Sequence, residues 1–479
     1  MEDWGLINVE VKNYENLRYD SEKNLFYLIS ARLDYSNVQL KFITKNCDGL
    51  MIADNKINCD NFIELNISKP LDVIVYKDEE TKIYTIQGIK IGLPTININV
   101  PLNKKIDKES YIKNTSFSLT DEDNVELINC EGSIKGQGNI TWTYDKKSYI
   151  IKFKNKTSLL GMNPGKKWCL LANYKDRAII RTELGFWISK KSKIKYTPDG
   201  RFVEVVFNGK EIGLYYLCEK PVIDENRINI NTFNADNFDD SGFVIYSNDN
   251  GKLLEVKDSL GLKYPKIKDT SLIQPVLKYL YDKIDTFEKT CTIEELKQII
   301  DIDSLIDYLL IIELIEHNDI FVSNNRIRNF YIQINKGKIL LGPLWDLEAL
   351  TFENGNKWVI LKHNKVEFCH WGTFNCDSVF IENLRKNKEF IKLVIKRWDS
   401  FKSELTGIND YIDSLYNKLE IAYTHNTNIW GTVADNPWLF KTYKCSTFIE
   451  LINEIKKSIN NRIKWLDENL LTLLNFEES

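Results

Sequence analysis

The sequence predicts an α+β protein in which strands come first and most helices follow. Short apolar runs, many with some alternation of apolar and polar residues, fill the first 92 residues, and strands and β-hairpins continue to about residue 230. From Ser271 onward, apolar residues recur at intervals of three and four, which is the spacing of helices that bury one face. Runs of strands followed by runs of helices are typical of the α+β class.

Length and composition indicate a soluble globular protein with more than one structural unit. The chain has 479 residues, of which 43% are apolar and 28% are charged. This length suggests about two to four domains, or one large domain with an appendage. The net charge of −4 and the pI near 5.9 indicate no strongly basic region for nucleic acid. No apolar stretch approaches the roughly 20 residues of a membrane span, so we expect neither a nucleic-acid partner nor a membrane span.

The N-terminus and the cysteines favour a reducing compartment. The first residues show no basic segment followed by an apolar one, so we expect no secretory signal peptide. The nine cysteines are odd in number, scattered, and form no CxxC pair. We expect reduced, mostly buried thiols rather than a disulfide framework.

Residues 1–92 are predicted to form a small all-β sandwich. Apolar, aromatic and β-branched residues dominate its short runs, and clusters of turn residues separate them. The predicted strands are 25–30, 38–43, 62–67, 71–76 and 83–88. The Tyr84-Thr85-Ile86 segment resembles the last strand of bacterial cadherin-like or immunoglobulin-like modules. No cluster here looks catalytic, so we interpret this domain as a spacer, or as a docking module with a partner of its own.

A glycine motif carries the first candidate binding residues. Within residues 134–153, the motif IKGQGNITW is followed by KKSYIIKF, which is predicted to be a strand. Gly136 and Gly138 allow backbone N–H groups to approach an anion closely, and the strand places a lysine beside that anion. Lys147 and Lys152 face opposite sides of a strand, so only one of them can contact a given phosphate. We choose Lys152, because its neighbours in the strand are apolar.

A strand, a helix and a β-hairpin follow. The apolar spacing predicts a helix over residues 178–190, with Arg181 and Glu183 in its first turns. Glu183 fits two interpretations equally: a partner for the phosphate-binding lysine, or a favourable acid near a helix N-terminus. Glu219 follows the second strand of the hairpin. Such an acid lines a cleft or makes a buried ion pair, and we favour the cleft slightly.

Two aspartates at the ends of regular elements form the central functional candidate. A helical run over residues 304–316 leads to Asp319, and a predicted hairpin then leads to Asp346 in the motif WDLE. Phosphoryl transfer needs a carboxylate near the attacking hydroxyl, and one or two oxygen ligands that hold magnesium on the phosphates. Either aspartate alone is more simply explained as a cap or turn residue. The pair in this context favours the site.

Taken together, the motifs resemble the CotH family of spore coat protein H-like atypical protein kinases. The resemblance runs from about Leu93 to the C-terminus, with the motifs in the family's order. The matching segments are KGQGNITW at 135–142, KKSYIIKF at 146–153, the W-x-L-x-A-N block with its arginine at 168–181, GLYYLCE at 213–219, LKYP at 262–265 and WDLE at 345–348. The resemblance implies a divergent protein-kinase-like core over residues 93–479. Its β-rich nucleotide-binding lobe would extend over about 93–230, and its mainly helical lobe over about 231–479.

The resemblance also implies that ATP and magnesium serve to phosphorylate Ser or Thr residues of a partner protein. Asp319 would accept or orient the proton of the acceptor hydroxyl, and Asp346 would bind the metal together with Glu348. Asn329 is the expected second metal ligand, although Asn324 has the five-residue spacing from Asp319 that ordinary kinases show. The residues expected on the nucleotide side are Lys135, Gly136, Gln137, Gly138, Lys152, Arg181 and Glu219.

Three departures from the family pattern leave the activity open. Gln137 replaces an arginine and removes a fixed positive charge, Glu348 replaces an aspartate, and the interval from Asp319 to Asn329 is longer than in the family. The expected function is a Ser/Thr protein kinase. The alternatives are a non-catalytic pseudokinase or coat scaffold and, less favoured, a protein nucleotidyltransferase. The lack of a leader favours an intracellular or spore-coat location over secretion.

Overall fold

The computed structural model has a mixed α+β architecture. The described residues are 4–247, 253–257, 260–290, 292–322, 326–327, 329–349, 351–352, 358–359, 361, 365–368, 372–375, 379–431 and 445–475. Strands dominate as far as residue 264 and helices dominate from residue 273 onward, as the sequence predicts. Among the described helices, none combines the length and the apolar character that a bilayer crossing requires.

Residues 4–90, here called the N-terminal unit, form two sheets around one apolar core. The strands are β1 (Gly5–Val11), β2 (Arg18–Asp20), β3 (Leu25–Ser30), β4 (Val38–Lys45), β5 (Gly49–Ile52), β6 (Asn55–Lys56), β7 (Ile63–Leu65), β8 (Leu71–Lys77) and β9 (Glu80–Lys90). One sheet has the order β1-β4-β7, and the other has the order β2-β3-β9-β8-β5-β6. Val9 and Phe42 of the first sheet share a buried cluster with Phe26 and Val73 of the second.

Every strand predicted in the N-terminal unit is present, although the run at 62–67 shortens to β7. The sequence analysis missed the very short β2 and β6, and it also missed the longer β1 and β5. The two longer strands have a common explanation. Each of them is stabilised by pairing with a strand distant in sequence, β4 for β1 and β8 for β5, so the local pattern alone is a weak signal. The predicted domain boundary near residue 92 stays a prediction.

A closed β-barrel follows the N-terminal unit. Its strands are β10 (Thr95–Asn99), β11 (Ile112–Thr120), β12 (Glu126–Gln137), β13 (Ser148–Thr157), β14 (Gly165–Leu171), β15 (Gly200–Phe207) and β16 (Lys210–Glu219). They pair in the order β10-β11-β12-β13-β14-β16-β15, and the parallel pairing of β10 with β15 closes the ring. Ile134, Ile151 and Trp168 belong to the buried cluster of the barrel. Because successive residues of a strand face opposite sides, their neighbours face out of the barrel.

The helical half packs around one helix, α4, that is buried on all sides. The helices of the chain are α1 (Arg181–Lys190), which lies between β14 and β15, α2 (Ile273–Lys289), α3 (Ile293–Ile299), α4 (Ile302–Ile315), α5 (Val379–Lys386), α6 (Lys388–Glu404), α7 (Ile408–Trp430) and α8 (Phe448–Asn469). The remaining strands are β17 (Gly242–Ser247), β18 (Leu254–Lys257), β19 (Leu260–Tyr264), β20 (Phe321–Val322), β21 (Arg326–Ile327), β22 (Tyr331–Asn335), β23 (Lys338–Leu341), β24 (Lys365–Phe368) and β25 (Gly372–Asn375). A sheet of order β18-β19-β17-β22-β23 lies in this half. Every residue of α4 from Ser304 to Ile315 is buried, as expected for a helix with apolar residues on all faces.

Buried carboxylates on α4 hold several other elements in place. Glu313 accepts a hydrogen bond from Nη2 of Arg462 on α8 at 2.9 Å. It also accepts from the backbone N–H groups of Val359 at 2.9 Å and Leu361 at 2.7 Å. Asp307, one turn and a half earlier, forms a two-point ion pair with an arginine of α6 at 2.6 and 2.9 Å. The charges inside the helical core are therefore paired and hydrogen-bonded, which buried charges require.

A histidine of α7 connects the barrel to the N-terminal unit. His425 Nδ1 lies 3.0 Å from Oε2 of Glu204, and its Nε2 lies 2.9 Å from Oε2 of Glu211. The hydroxyl of Ser30 in the N-terminal unit donates to Glu211 Oε1 at 2.6 Å. Burial alone would lower the pKa of His425, but its bonds to the two carboxylates raise it to about 9. The imidazolium therefore carries a positive charge at neutral pH.

The pKa of His425 predicts that this contact weakens in alkaline solution. A group whose pKa rises from 6.5 to about 9 on folding stabilises the fold fully below pH 6.5, and that contribution is lost as pH rises through 9. We expect this contribution to the free energy of unfolding to be at most about 3 kcal/mol. Denaturant unfolding of the wild-type protein and of His425→Gln across this pH range measures it. Parallel pH profiles for the two proteins would contradict the prediction.

The Glu313–Arg462 pair predicts a large cost for removing one partner. The side chains of Arg462 and Glu313 are 1% and 0% exposed, so Arg462→Ala leaves a buried carboxylate without its cation. We expect a loss of about 3–5 kcal/mol in the free energy of unfolding. Lys464→Ala on the same helix is the matched control, because that side chain is 77% exposed. Equal losses for both variants in denaturant unfolding would show that the pair is not needed.

Candidate active site

One cleft brings together the candidate metal ligands and part of the glycine motif. It lies between the barrel, at β12 and β13, and the segment that follows β23, and its volume is about 440 Å³. The barrel side contributes Gln137, Gly138, Asn139, Thr141, Ser148, Leu171 and Lys175. The helical half contributes Tyr246, Ser247, Lys263, Asn329, Trp345, Asp346 and Glu348. Polar groups from both halves therefore face the same space.

The glycine motif forms one wall of the cleft, and close packing fixes its shape. A side chain at Gly136 would collide with the ring of Trp142. Gly138 has a φ of +104°, and a side chain there would collide with the hydroxyl of Thr141. Glycine is therefore required at both positions, for close approach at the first and for the positive φ at the second. Gln137 lies between them, and its Oε1 is buried with no hydrogen-bond partner among the described residues.

The WDLE segment forms the opposite wall and is anchored on α1. Trp345 stacks on Phe186 of α1, with ring centroids 6.3 Å apart and an angle of 27° between the planes. Leu347 packs onto Gly185 of the same helix, where a side chain would collide with it. Asp346 lies between these two anchors with a φ of +63°, and its exposed side chain lines the cleft. The position of this acid therefore depends on α1.

Glu348 is a buried acid close to a second acid. Burial and then the charge of Asp346 raise the pKa of Glu348 to about 8, while two nearby lysines act in the opposite direction. Asn329 brings an amide to the same cleft, and its Oδ1 accepts a hydrogen bond from Tyr246 at 3.4 Å. Carboxylate and amide oxygens are the ligands that Mg²⁺ and Ca²⁺ prefer. A divalent cation here would offset the repulsion between the two acids.

A smaller cavity of about 30 Å³ adjoins this acid pair, and Asp346, Glu348, Gln137 and Thr182 line part of it. Within the described residues, the side-chain oxygens Gln137 Oε1 and Thr182 Oγ1 are buried without hydrogen-bond partners. The cavity is large enough for a water molecule. No cluster of three or more His, Cys, Asp or Glu suited to a metal occurs in the described part of the chain. Mg²⁺ usually keeps several of its waters when it binds protein carboxylates.

His317 connects the two segments that carry the predicted acids. It directly follows the left-handed residue that ends α4, and it is fully buried. Its Nε2 lies 3.4 Å from the carbonyl oxygen of Trp345. Burial lowers the pKa of His317 to about 4, so the ring is neutral at pH 7. Asp319 lies in the short 3₁₀ turn that follows, but its side chain lies outside the described residues, as does all of Asn324.

Lys263 on β19 brings a half-buried amine to the cleft, and the sequence analysis assigned it no role. Its Nζ lies 4.6 Å and 4.1 Å from the ring centroids of Tyr246 and Tyr331, and it donates to the Tyr331 hydroxyl. Burial, followed by the charge of nearby lysines, holds the pKa of Lys263 well below its ordinary value. A phosphate in the cleft would favour the charged form. The available signal is the LKYP motif, whose lysine follows an apolar residue of a short strand.

Lys152, the predicted phosphate-binding lysine, lies outside the lining of this cleft. It shares one face of β13 with Ser148, as the strand period predicts, but it lies four residues further along and is exposed. Its Nζ is 5.7 Å from the ring centroid of Tyr111. Lys135 lies near the same ring, at 5.3 Å, and donates to the carbonyl oxygen of Lys108 at 3.1 Å. Neither lysine is placed to contact a phosphate beside Asp346.

Arg181 also lies away from the cleft, where it joins α1 to the segment after WDLE. Its guanidinium forms a buried ion pair with Asp176 at 2.7 Å. Its Nε donates to the carbonyl oxygen of Thr351 at 3.1 Å. Arg181 thus links the two halves of the molecule, and its predicted nucleotide contact stays a prediction.

Tyrosines, rather than lysines, bind the two acids whose roles the sequence left open. Glu183 accepts from the hydroxyl groups of Tyr216 and Tyr411. Glu219 is buried, accepts from the Tyr196 hydroxyl at 3.0 Å, and has a pKa raised by burial. Glu183 is thus not arranged as the partner of the predicted lysine, and Glu219 does not line the cleft.

The family comparison agrees with this arrangement of motifs. A family model described as CotH kinase protein matches residues 133–466. The match begins in β12, includes the glycine motif, His317 and WDLE, and ends in α8. No curated protein matches the chain significantly. Because the family model covers more than half of the sequence, this chain belongs to the CotH kinase protein family.

Proposed function

We propose that this protein is an ATP- and magnesium-dependent protein kinase with a divergent protein-kinase-like core. It would transfer the γ-phosphoryl group to a Ser or Thr hydroxyl of a partner protein. One observation carries the proposal: Asp346, Glu348 and Asn329 face the glycine motif across a single cleft. The order of parts also supports it. The chain has a glycine motif between two strands, then a helix, and then two acid-bearing segments in a second lobe. Protein kinases have the same order of parts.

Asp346, Glu348 and Asn329 are the residues that would hold the metal. Their oxygens suit Mg²⁺, and the closeness of the two acids favours a cation between them. When bound, Mg²⁺ neutralises charge on the phosphate oxygens of the nucleotide. Trp345 and Leu347 keep these acids at the cleft through their contacts with α1.

The glycine motif and two lysines would bind the phosphates. Gly138 carries no side chain of its own and lines the cleft, which suits close approach of an anion to the backbone there. Lys263 and Lys175 both line the cleft, and a bound phosphate would favour the charged form of Lys263. Lys263 is held by two tyrosine rings and needs no large rearrangement to meet a phosphate. We assign it the role that the sequence analysis gave to Lys152.

Asp319 would orient the acceptor hydroxyl and take its proton. The hydroxyl oxygen forms a new bond to the γ-phosphorus, and the bond from that phosphorus to the β–γ bridging oxygen breaks. The bridging oxygen leaves with the electron pair as part of ADP. His317 supports this step indirectly, because it ties the start of the Asp319 turn to the backbone of Trp345.

A non-catalytic pseudokinase is the second candidate, and Gln137 favours it. The family's arginine at this position would bring a positive charge next to the acid pair, whereas the amide brings none. Glu348 has a pKa of about 8, so most of the population is neutral at pH 7 and binds a cation less strongly. A protein that bound nucleotide without transferring phosphate would fit these features.

Asp346→Asn should abolish phosphate transfer. The substitution removes the negative charge that faces the metal while keeping the size of an exposed side chain. We expect a loss of about 100-fold or more in label transferred from γ-labelled ATP to a Ser-rich basic protein. Asp123→Asn is the matched control, because that side chain is 79% exposed on a distant turn. Full activity in Asp346→Asn would refute the assignment, and label from α-labelled ATP would indicate nucleotidyl transfer.

Lys263→Met should weaken Mg-ATP binding, and Lys152→Met should not. A buried charged hydrogen bond contributes about 1.5–3 kcal/mol, which corresponds to about a 10- to 150-fold change in the dissociation constant. The exposed Lys152 serves as the control, because it has the same chemistry outside the cleft. Fluorescence titration with a labelled ATP analogue measures both variants. Weaker Mg-ATP binding in Lys152→Met than in Lys263→Met would instead support Lys152 as the phosphate-binding lysine.

A further inference from the structure

The N-terminal unit contacts the barrel through a buried ionic network rather than through packing alone. Glu211 on β16 accepts from the Ser30 hydroxyl at 2.6 Å and from the backbone N–H of Ala31 at 3.1 Å. The other oxygen of Glu211, Oε2, binds Nε2 of His425. The second ring nitrogen of His425, Nδ1, binds Oε2 of Glu204. His425 is 4% exposed and Glu204 is 1% exposed, so these bonds are largely shielded from bulk water. The network links Ser30 of the N-terminal unit to Glu204 of the barrel.

The same turn of α7 is bonded to a second buried cation. Asn426, the residue after His425, accepts from Nζ of Lys146 at 2.9 Å and from the backbone N–H of Leu214 at 3.3 Å. Lys146 is 2% exposed, and burial lowers its pKa to about 7. Its Nζ also donates to the carbonyl oxygen of Ala172 at 2.8 Å. The turn of α7 that contains His425 and Asn426 is therefore connected to the N-terminal unit through Glu211 and to the loop after β14 through Lys146.

The contacts of Lys146 continue directly to the cleft wall. The backbone N–H of Ala172 donates to Ser148 Oγ at 2.9 Å. Ser148 lines the cleft and pairs in register with Gln137 of the glycine motif. Lys175, three residues beyond Ala172, lines the cleft as well. A shift of α7 would therefore move the backbone that presents Ser148 and Lys175.

Polar bonds are important in this contact, because packing is incomplete there. A cavity of about 600 Å³ lies between the N-terminal unit and the rest of the molecule, and Tyr14, Arg18, Lys210 and His425 line part of it. Arg18 crosses the gap and donates to the carbonyl oxygen of Asn428 on α7 at 3.0 Å. The relative position of the two parts on this side is thus set by individual hydrogen bonds and ion pairs.

We propose that the N-terminal unit helps to set the geometry of the nucleotide cleft through Glu211, His425 and α7, so that it is a working part of the kinase rather than a spacer. Ser30 and His425 are positioning residues in this scheme. The proposal rests on the proposed function, since the geometry it sets is that of an ATP site. It also reverses the expectation that the N-terminal unit acts only as a spacer or docking module.

The test compares three full-length variants in titrations with a fluorescent ATP analogue and Mg²⁺. Ser30→Ala removes the hydroxyl that donates to Glu211 and leaves the bond from the Ala31 N–H, and His425→Gln removes the charge that joins the two acids. We expect both to weaken binding by about fivefold or more, a usual size for coupling between sites. Val73→Ala is the matched control, because it destabilises the core of the N-terminal unit without touching the network. We expect it to lower the thermal midpoint and to leave the affinity unchanged.

A second measurement separates this proposal from the proposed function. Hydrogen exchange of residues 137–148 and 171–176 reports on the cleft wall without any nucleotide. Faster exchange there in Ser30→Ala and His425→Gln, but not in Val73→Ala, supports the coupling even if the wild-type protein fails to bind ATP. The proposal is overturned if Ser30→Ala and His425→Gln change neither the exchange nor the affinity. It is also overturned if all three variants show equal effects.

Discussion

The buried carboxylate of Glu313 is the group on which the cleft-forming half of the molecule depends. It sits inside α4 and binds Arg462 of α8 together with the N–H groups of Val359 and Leu361. An unpaired charge in this core would cost several kcal/mol, so these three parts of the chain cannot separate independently. Because α4 is fixed in this way, the turn that begins at His317 lies beside the WDLE segment.

The same rule explains how the two halves of the molecule are joined. Arg181 forms an ion pair with Asp176 and donates to the carbonyl oxygen of Thr351. His425 binds two acids of the barrel. Each of these cations is buried and has acids or carbonyl oxygens around it. The acids at the cleft are different, because Glu348 lies beside another acid rather than beside a bonded cation. Two acids held beside each other in this way suit a divalent cation.

The sequence predicted the walls of the cleft better than its lysines. The glycine motif is a local pattern, since Gly136 packs against the nearby Trp142, and WDLE is recognisable as a motif although α1 positions it in the fold. Whether a lysine reaches the cleft depends on its position along the strand. The strand period predicts only the face of the sheet on which the lysine lies. Lys152 therefore lies on the expected face but too far along the strand, whereas Lys263 reaches the cleft from a strand of the other half. The roles of Arg181 and His425 depend on partners more than 150 residues away in the chain, which no local pattern encodes.

The closure of the barrel limits how a polypeptide can be recognised. Within residues 95–219, each strand from β10 to β16 has a neighbour on both sides, because β10 pairs with β15. A ring of this kind offers no open row of backbone N–H and C=O groups. An extended peptide therefore cannot bind there by adding itself as one more strand, which is a common mode of peptide capture. A partner that binds by strand addition would have to use an open edge elsewhere, such as β18 or β23 of the five-stranded sheet.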